Sequence, residues 1–199
     1  MNRTPWRLWN FWKGIPNPKG SVLEAMTILE NTFDEFPSAW KHAGLLHMYI
    51  HLMEMSPHPE KALKHGDILT DLVPDAGHLV HMATHIDVLC GDYQNVLSRN
   101  LLAARVDEEF KLYAGADNFY ALYRIHNLHF AMYGAMFLGQ KGAALEAVSR
   151  LRGEVPEGRL ARPWPLVAPR MLPLLTLLDL IWRRFIPIAQ TRPSCGRGL

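Results

Sequence analysis

Cysteine is scarce in this chain of 199 residues, which contains only Cys90 and Cys195. Two cysteines so far apart provide neither a disulfide framework nor a cysteine-based zinc motif. The first residues also lack the apolar core of a secretory signal peptide. These absences indicate a protein of a reducing compartment, and we expect it in the cytoplasm.

An excess of charge of one sign is also missing, because the formal net charge is only +2. Basic residues are dispersed through most of the chain, which argues against nucleic acid and acidic lipid as partners. The apolar stretch 171–182 is interrupted by Pro173 and Asp179 and is shorter than the roughly 20 residues that cross a membrane. The sequence has no Gly-rich phosphate loop, serine nucleophile elbow or Cys–His dyad. We therefore expect neither a membrane protein nor a nucleic-acid-binding protein.

Helical periodicity dominates the sequence. Apolar residues recur three and four positions apart from Ser21 onward, and no run alternates with a period of two, so we expect no β-sheet. Phe36-Pro37 and Val73-Pro74 mark helix ends, since the residue before a proline disfavours helical backbone. The periodicity predicts seven helices, at about residues 21–36, 38–55, 59–72, 78–90, 92–112, 118–138 and 140–152.

These helices form pairs that repeat along the chain. The first helices of successive pairs begin near residues 21, 59, 92 and 140, and a repeat of this length is typical of a tetratricopeptide-type solenoid. We therefore predict an all-α fold, a right-handed α–α superhelix of about three helix pairs plus a seventh helix.

The predicted repeat domain covers residues 20–160. Residues 1–19 form a Trp- and Pro-rich lead-in, whose Trp6, Trp9 and Trp12 we expect to cover the edge of the first helix pair. Residues 161–199 abandon the repeat and are rich in Pro and Arg. There we expect a capping helix at 171–185 followed by a disordered tail, although a difference of frame or splicing could also explain this segment.

Histidines occupy one narrow stripe on each of three predicted helices. Side chains three or four residues apart lie on the same face of a helix. These helices are largely apolar and therefore expected to be buried, and an unpaired buried ring nitrogen costs about 1–3 kcal/mol. The stripes consist of His47, His51 and Glu54, of His78, His81 and His85, and of His126 and His129.

Metal binding is one interpretation of the stripes. Histidine pairs at such spacings chelate an ion from one helix, and the three helices offer more ligands than one tetrahedral zinc site needs. They could hold a zinc ion with an open position, or two ions such as copper or iron. An open position supports hydrolysis or oxygen chemistry. Asp87 and Tyr133 are candidate hydrogen-bond partners of the ligands.

A structural role is the alternative. Second helices of successive pairs pack side by side, so their histidines could bond one another, Glu54, Tyr123 or backbone carbonyls. In either case we expect all the stripe residues to point into one shared interior region. A metal site requires ligand nitrogens of three histidines within about 3–4 Å of one another, or somewhat farther apart without the ion.

The residues around the stripes carry a closer resemblance. Pro74-Asp75-Ala76-Gly77 before His78-Leu79-Val80-His81-Met82 resembles a family of tetratricopeptide-domain proteins from bacteria and fungi, as do residues 46–57 and 123–130. The resemblance covers about residues 20–155 and implies the fold, but no particular reaction. Members of that family are usually longer, which implies that Met1 is an internal methionine and that this chain is the middle of an array.

Two functions follow as expectations. Helical-repeat solenoids mostly bind other proteins through an extended concave surface, so by this analogy of fold we expect a scaffold with a protein or peptide partner. The alternative is a metal-binding protein or a metal-dependent enzyme that uses the histidine stripes, with zinc, copper or iron as its divalent metal.

Overall fold

The computed structural model describes residues 8–10, 14–17, 20–116 and 118–154, and these are almost entirely helical. This confirms the predicted all-α class. Most of the predicted lead-in, including Trp6 and Trp12, and the whole of the predicted capping helix and tail lie outside the described residues. The α-helices are α1 (Val22–Glu35), α2 (Ala43–Met53), α3 (Leu63–Leu72), α4 (Gly77–Met82), α5 (Thr84–Leu89), α6 (Tyr93–Ala114), α7 (Ala121–Phe137) and α8 (Lys141–Glu154).

Proline, glycine and side-chain caps set the helix boundaries. 3-10 turns at Pro37–Lys41 and Pro59–Ala62 precede α2 and α3, and each begins with proline because its missing N–H costs nothing there. Asp92 accepts the backbone N–H of Asn95 at 3.2 Å and so begins α6. Gly91, with φ of 78°, follows α5 in the left-handed conformation that glycine adopts without strain. None of the described helices combines the length and the apolar character that a membrane crossing requires.

The helix predicted at residues 78–90 is interrupted. It begins at Gly77 and breaks at Ala83, between α4 and α5. The Thr84 hydroxyl donates to the carbonyl of His81 at 2.7 Å, and such a bond competes with the backbone ladder of the helix. If α4 and α5 are counted as one interrupted helix, the described part of the chain has the seven helices that the periodicity predicts.

One short two-stranded β-ribbon, which the periodicity does not predict, precedes α1. Trp9–Asn10 pairs antiparallel with Ile15–Pro16. The Trp9 indole is buried and donates to the carbonyl of Leu52 at 2.7 Å. That carbonyl lies in the last turn of α2, where backbone acceptors lack helical partners. Trp9 therefore ties the ribbon to the first helix pair.

Two hydrophobic cores flank the centre of the molecule. The first joins α1, α2 and α3 with apolar side chains of α4 and α5. Its buried residues include Leu46 and Ile50 on α2 and Met82 on α4. The second joins α6, α7 and α8, with Leu128 and Leu151 among its buried residues. Since α4 contacts α2, α6 and α7, the interrupted helix lies between the two cores. The histidines of that helix therefore occupy the middle of the fold.

Gly134 in α7 marks a close crossing with α6. A Cβ at this position would lie 2.9 Å from the backbone nitrogen of Leu97, which cannot move aside as the end of a side chain could. We expect Gly134→Ala to lower the free energy of unfolding by about 1–3 kcal/mol, the usual cost of overpacking. Urea denaturation of the purified protein measures this change.

Gly142→Ala is the matched control. Gly142 lies inside α8, and a Cβ there would have nothing within 4 Å. This substitution should raise the free energy of unfolding by up to about 1 kcal/mol, because alanine favours the helix. Equal effects of the two substitutions would contradict the close crossing at Gly134.

Candidate metal centre

Three helical units bring the histidine stripes together. The α4–α5 unit contacts α2, and α4 also contacts α7, so the helical units that carry the three stripes are neighbours. Glu54 stands directly after the last residue of α2. The stripes comprise His47, His51 and Glu54 from α2 and its end, His78, His81 and His85 from α4–α5, and His126 and His129 from α7.

The imidazole rings form a continuous series through this interior. The centroids of His47 and His51 are 4.7 Å apart, and those of His51 and His85 are 5.9 Å apart. His81 lies 4.8 Å from His85 and 4.6 Å from His126. His78 joins the series through contacts with both His47 and His81. The series therefore contains six of the seven stripe histidines.

Three of these rings converge most closely. His81, His85 and His126 each offer one nitrogen, and these nitrogens all lie within 4.8 Å of one another. The Nε2 atoms of His81 and His85 are only 3.0 Å apart. Phe130 packs against all three rings, with centroid distances of 4.8–5.1 Å. One pair thus meets the spacing expected for metal ligands, and the third nitrogen lies slightly farther away.

Asn100 on α6 fixes the protonation of His81. The Asn100 amide nitrogen donates to the carbonyl of Val96 at 2.7 Å, which leaves its Oδ1 as an acceptor toward His81 Nδ1 at 2.7 Å. His81 Nδ1 must therefore carry a proton. Burial lowers the pKa of His81 well below its usual range, so the ring is neutral at pH 7 and its Nε2 is a free lone pair.

Glu54 fixes the orientation of His85 in the same way. Its Oε2 lies 2.9 Å from His85 Nδ1, and its Oε1 lies 3.2 Å from His51 Nδ1. Burial raises the pKa of Glu54, but its hydrogen bonds with the two histidines outweigh burial and lower the pKa to about 2. An ionised carboxylate only accepts, so each Nδ1 donates to it and each Nε2 faces away from it.

The Nε2 atoms of these two rings are 3.0 Å apart. Each ring already uses an N–H at its Nδ1, so the two Nε2 atoms can be joined by one further proton, carried by either ring, or by a metal ion bound by both. In a tetrahedral zinc site with Zn–N bonds of about 2.0–2.1 Å, ligand nitrogens stand about 3.3 Å apart. The three ligand nitrogens lie within 4.8 Å of one another, so they would have to move closer together to complete such a site.

The remaining electrostatics favour neutral ligands. Burial, with the nearby His85 and His129, lowers the pKa of His126 to about 3. A neutral imidazole is the form that binds a metal. The side chain of His85 is 13% exposed, which gives the cluster a route to solvent.

Three predicted participants do not join the series of ring contacts. The ring contact of His129 is with Phe130, and no described contact joins its ring to another histidine. Asp87 forms an ion pair with Arg99 at 2.9 Å. Tyr133 is partly exposed and packs against Phe137. The contacts that the structure shows for Asp87 and Tyr133 are thus with Arg99 and Phe137, and their predicted role beside the ligands stays a prediction.

Asn100 is a candidate site residue that the sequence analysis missed. It is fully buried and lies in the middle of α6, a helix that carries no histidine. The one available signal was a polar amide in a buried helical position, which requires a hydrogen-bond partner. Nothing local to residue 100 indicates that this partner is His81.

Comparison of the chain with protein-family models, with curated proteins and with solved structures found no match. The resemblance to tetratricopeptide-domain proteins therefore stays a prediction.

The buried histidines make stability depend on pH. Their native pKa values lie below the ordinary value of 6.5, so between pH 6.5 and about 4 the unfolded chain binds protons that the native state does not. The free energy of unfolding of the metal-free protein should therefore fall as the pH falls through this window. Each such histidine contributes a slope of about 1.4 kcal/mol per pH unit. Burial lowers the pKa in this way for His47, His65, His78, His81, His126 and His129.

Urea denaturation at pH 7 and pH 5, in the presence of a chelator, measures this dependence. Burial raises the pKa of Asp87 to about 7 and also raises that of Asp107, so these two carboxyls act in the opposite direction. The histidines with lowered pKa values outnumber these two carboxyls. We therefore expect a lower urea midpoint at pH 5 than at pH 7. Equal midpoints at the two pH values would contradict the neutral, buried state of the rings.

Proposed function

We propose that this chain is a metal-binding protein in which His81, His85 and His126 hold one divalent transition-metal ion. The observation that carries this proposal is the 3.0 Å contact between two Nε2 atoms whose rings already donate their protons elsewhere. A metal ion between these atoms would bind the lone pair of each Nε2. Imidazole nitrogen is a ligand that zinc, copper and iron ions bind well, so a set of three imidazoles suits each of these metals.

Three protein ligands leave one position of a tetrahedral site open. Zinc would lower the pKa of a water bound at this open position to about 7 and so generate a nucleophile for hydrolysis. Copper or iron in the same ligands supports oxygen-dependent oxidation. The partial exposure of His85 supports access of water or a small substrate to the ion. Glu54 and Asn100 would hold the ligand rings in place, as partners of metal-bound histidines usually do.

We also propose that the helices stack as a tetratricopeptide-type right-handed superhelix. The helix pairs would be α1–α2, α3 with α4–α5, and α6–α7, followed by α8. Contacts of α2 with α4 and α5, and of α4 with α7, support side-by-side stacking of successive second helices. A cytoplasmic location is supported by Cys90, an exposed free thiol.

Protein binding is a second candidate function, and exposed apolar side chains favour it. At the end of α6, Leu112 is 85% exposed and Tyr113 is 90% exposed. Phe119, just before α7, is 80% exposed and contacts the ring of Tyr120. Large apolar side chains on a surface often mark a site where another protein binds.

Elemental analysis of the tag-free protein tests the metal proposal. After chelation, reloading with Zn²⁺ and removal of free metal, we expect at least one ion per chain. A His81→Ala/His85→Ala variant should lose the ion of this centre, because only one of its three ligands remains.

His58→Ala is the matched control. His58 is exposed, pairs with Glu60 at 3.2 Å and is remote from the ring series, so its removal should leave the metal content unchanged. A metal content far below one ion per chain, equal in the wild-type protein and the double variant, would leave the histidines with a structural role.

Asn100 should act as a positioning residue for the ion. Asn100→Ala removes the acceptor of the His81 Nδ1 proton, and we expect metal affinity to fall about 10–100-fold. Asn100→Asp keeps an acceptor at this position and should retain most of the affinity. Competition with a chromophoric chelator measures both values. Equal affinities of the Asn100→Ala variant and the wild-type protein would contradict this role.

A further inference from the structure

A cavity of about 380 Å³ lies between α6, α7 and α8, and residues of all three helices line it. Small-molecule sites usually have volumes of roughly 300–1,000 Å³, so this cavity suits a small ligand. Arg124 and Leu128 of α7 belong to its wall, and each is two residues from His126. Two residues turn an α-helix by about 200°, so the cavity lies on the side of α7 away from His126 and the candidate metal centre.

Charged side chains make up much of the cavity wall. Its cations are Lys111, Arg124 and Arg150, and its carboxylates are Glu108 and Glu154. Burial raises the pKa of Glu154, but its hydrogen bonds with Lys111 and Arg124 outweigh burial and lower the pKa, so this group is ionised at pH 7. Three cations and two carboxylates leave the wall with one positive charge in excess.

A further carboxyl, that of Asp107, interacts with Arg124 from outside the wall. It is buried, and the amide nitrogen of Asn127 donates to its Oδ2 at 2.6 Å. Burial raises the pKa of Asp107, which favours its neutral form over the ionised one. Asp107 is therefore a poor counter-ion for the wall.

The Arg124 guanidinium is buried and only partly paired. Its Nε donates to Glu154 Oε2 at 2.9 Å, and its Nη2 donates to the carbonyl of Ala116 at 2.7 Å. Its Nη1 is inaccessible to solvent and has no hydrogen-bond partner among the described residues. A buried donor of a charged group is costly to leave unpaired, so this atom requires an explanation.

Arg150 on α8 is the cation of the wall that lacks a counter-ion in the described part of the chain. Its one hydrogen bond there runs from Nη2 to the carbonyl of Ala104 and is long, at 3.4 Å. The carboxylates of the wall pair with Lys111 and Arg124 instead. A guanidinium can donate two parallel hydrogen bonds to one carboxylate, so Arg150 is suited to bind such a group.

We propose that this cavity binds a small organic monocarboxylate, whose carboxylate pairs with Arg150 and whose apolar part lies against Ala104 and Leu128. One negative charge neutralises the excess of the wall and compensates Arg124 as well as Arg150. A dianion such as phosphate would leave the cavity with a net negative charge instead. The apolar side chains of Ala104 and Leu128 in the wall favour a ligand with a hydrocarbon part. This site is separate from the proposed metal centre and does not depend on it.

A nuclear magnetic resonance titration of the full chain tests the proposal. The ¹⁵N-labelled protein is titrated with butyrate and with benzoate, and separately with inorganic phosphate, at constant ionic strength and with a chelator present. We expect both carboxylates to cause saturable shifts of the Gly153 amide, because Gly153 belongs to the cavity wall. Phosphate should bind at least about 10-fold more weakly, because its second negative charge has no counter-ion in the wall.

Substitutions on α8 test the role of Arg150. Arg150→Gln should weaken the binding of butyrate and benzoate by at least about 10-fold, because the charge-assisted hydrogen bonds are lost. Arg150→Lys keeps the charge without the two parallel bonds and should give an intermediate affinity. Arg152→Gln is the matched control, since it removes the same charge from an exposed position of the same helix outside the wall. It should retain the affinity of the wild-type protein.

The contrary outcomes are distinct from one another. Phosphate binding as tight as that of the carboxylates would overturn the proposed class of ligand. Equal carboxylate affinities in the wild-type protein and in Arg150→Gln would overturn the assignment of Arg150, and Arg150→Lys replaces that variant if it fails to fold. The absence of saturable shifts with both carboxylates would overturn the site itself. The chelator keeps every one of these results independent of metal binding.

Discussion

The Glu54 carboxylate is the group on which the centre of this molecule depends. It stands at the end of α2 and accepts from His51 on α2 and His85 on α5, so it joins two helices as well as two rings. A buried carboxylate is tolerated only when donors surround it, and here the donors are Nδ1 atoms. The requirement is mutual, because each ring places its one proton toward Glu54. Hydrogen bonding to Glu54 thus decides which nitrogen of each ring remains available to a ligand.

The location between two hydrophobic cores gives this polar centre its rigidity. Apolar side chains of α1–α3 pack on one side and those of α6–α8 on the other, while Phe130 covers three of the rings. Side chains held by packing and by hydrogen bonds keep a site close to its working geometry. The low polarity of the surroundings also strengthens every interaction among the rings and Glu54.

Helix positions and the membership of each stripe could be predicted from the sequence, because both follow from spacing within one helix. Features that depend on contacts between distant residues could not. Asn100 reaches His81 from another helix, and nothing in its own segment indicates this partner. The ribbon depends on the Trp9–Leu52 bond, and a Thr84 hydroxyl bond accompanies the break at Ala83. His129 lies three residues from His126 as predicted, yet its ring meets Phe130.

The break at Ala83 has a consequence for selectivity among ions. In an unbroken helix, two ligands four residues apart have a bite that the helical pitch fixes. His81 and His85 stand on opposite sides of the break, on α4 and α5, so no continuous backbone ladder fixes the separation of their Nε2 atoms. In the proposed site, the chelate of these two histidines would adjust to ions of different radius. Discrimination between metals would then depend on Glu54 and Asn100, which fix the directions of the rings and so the coordination angles.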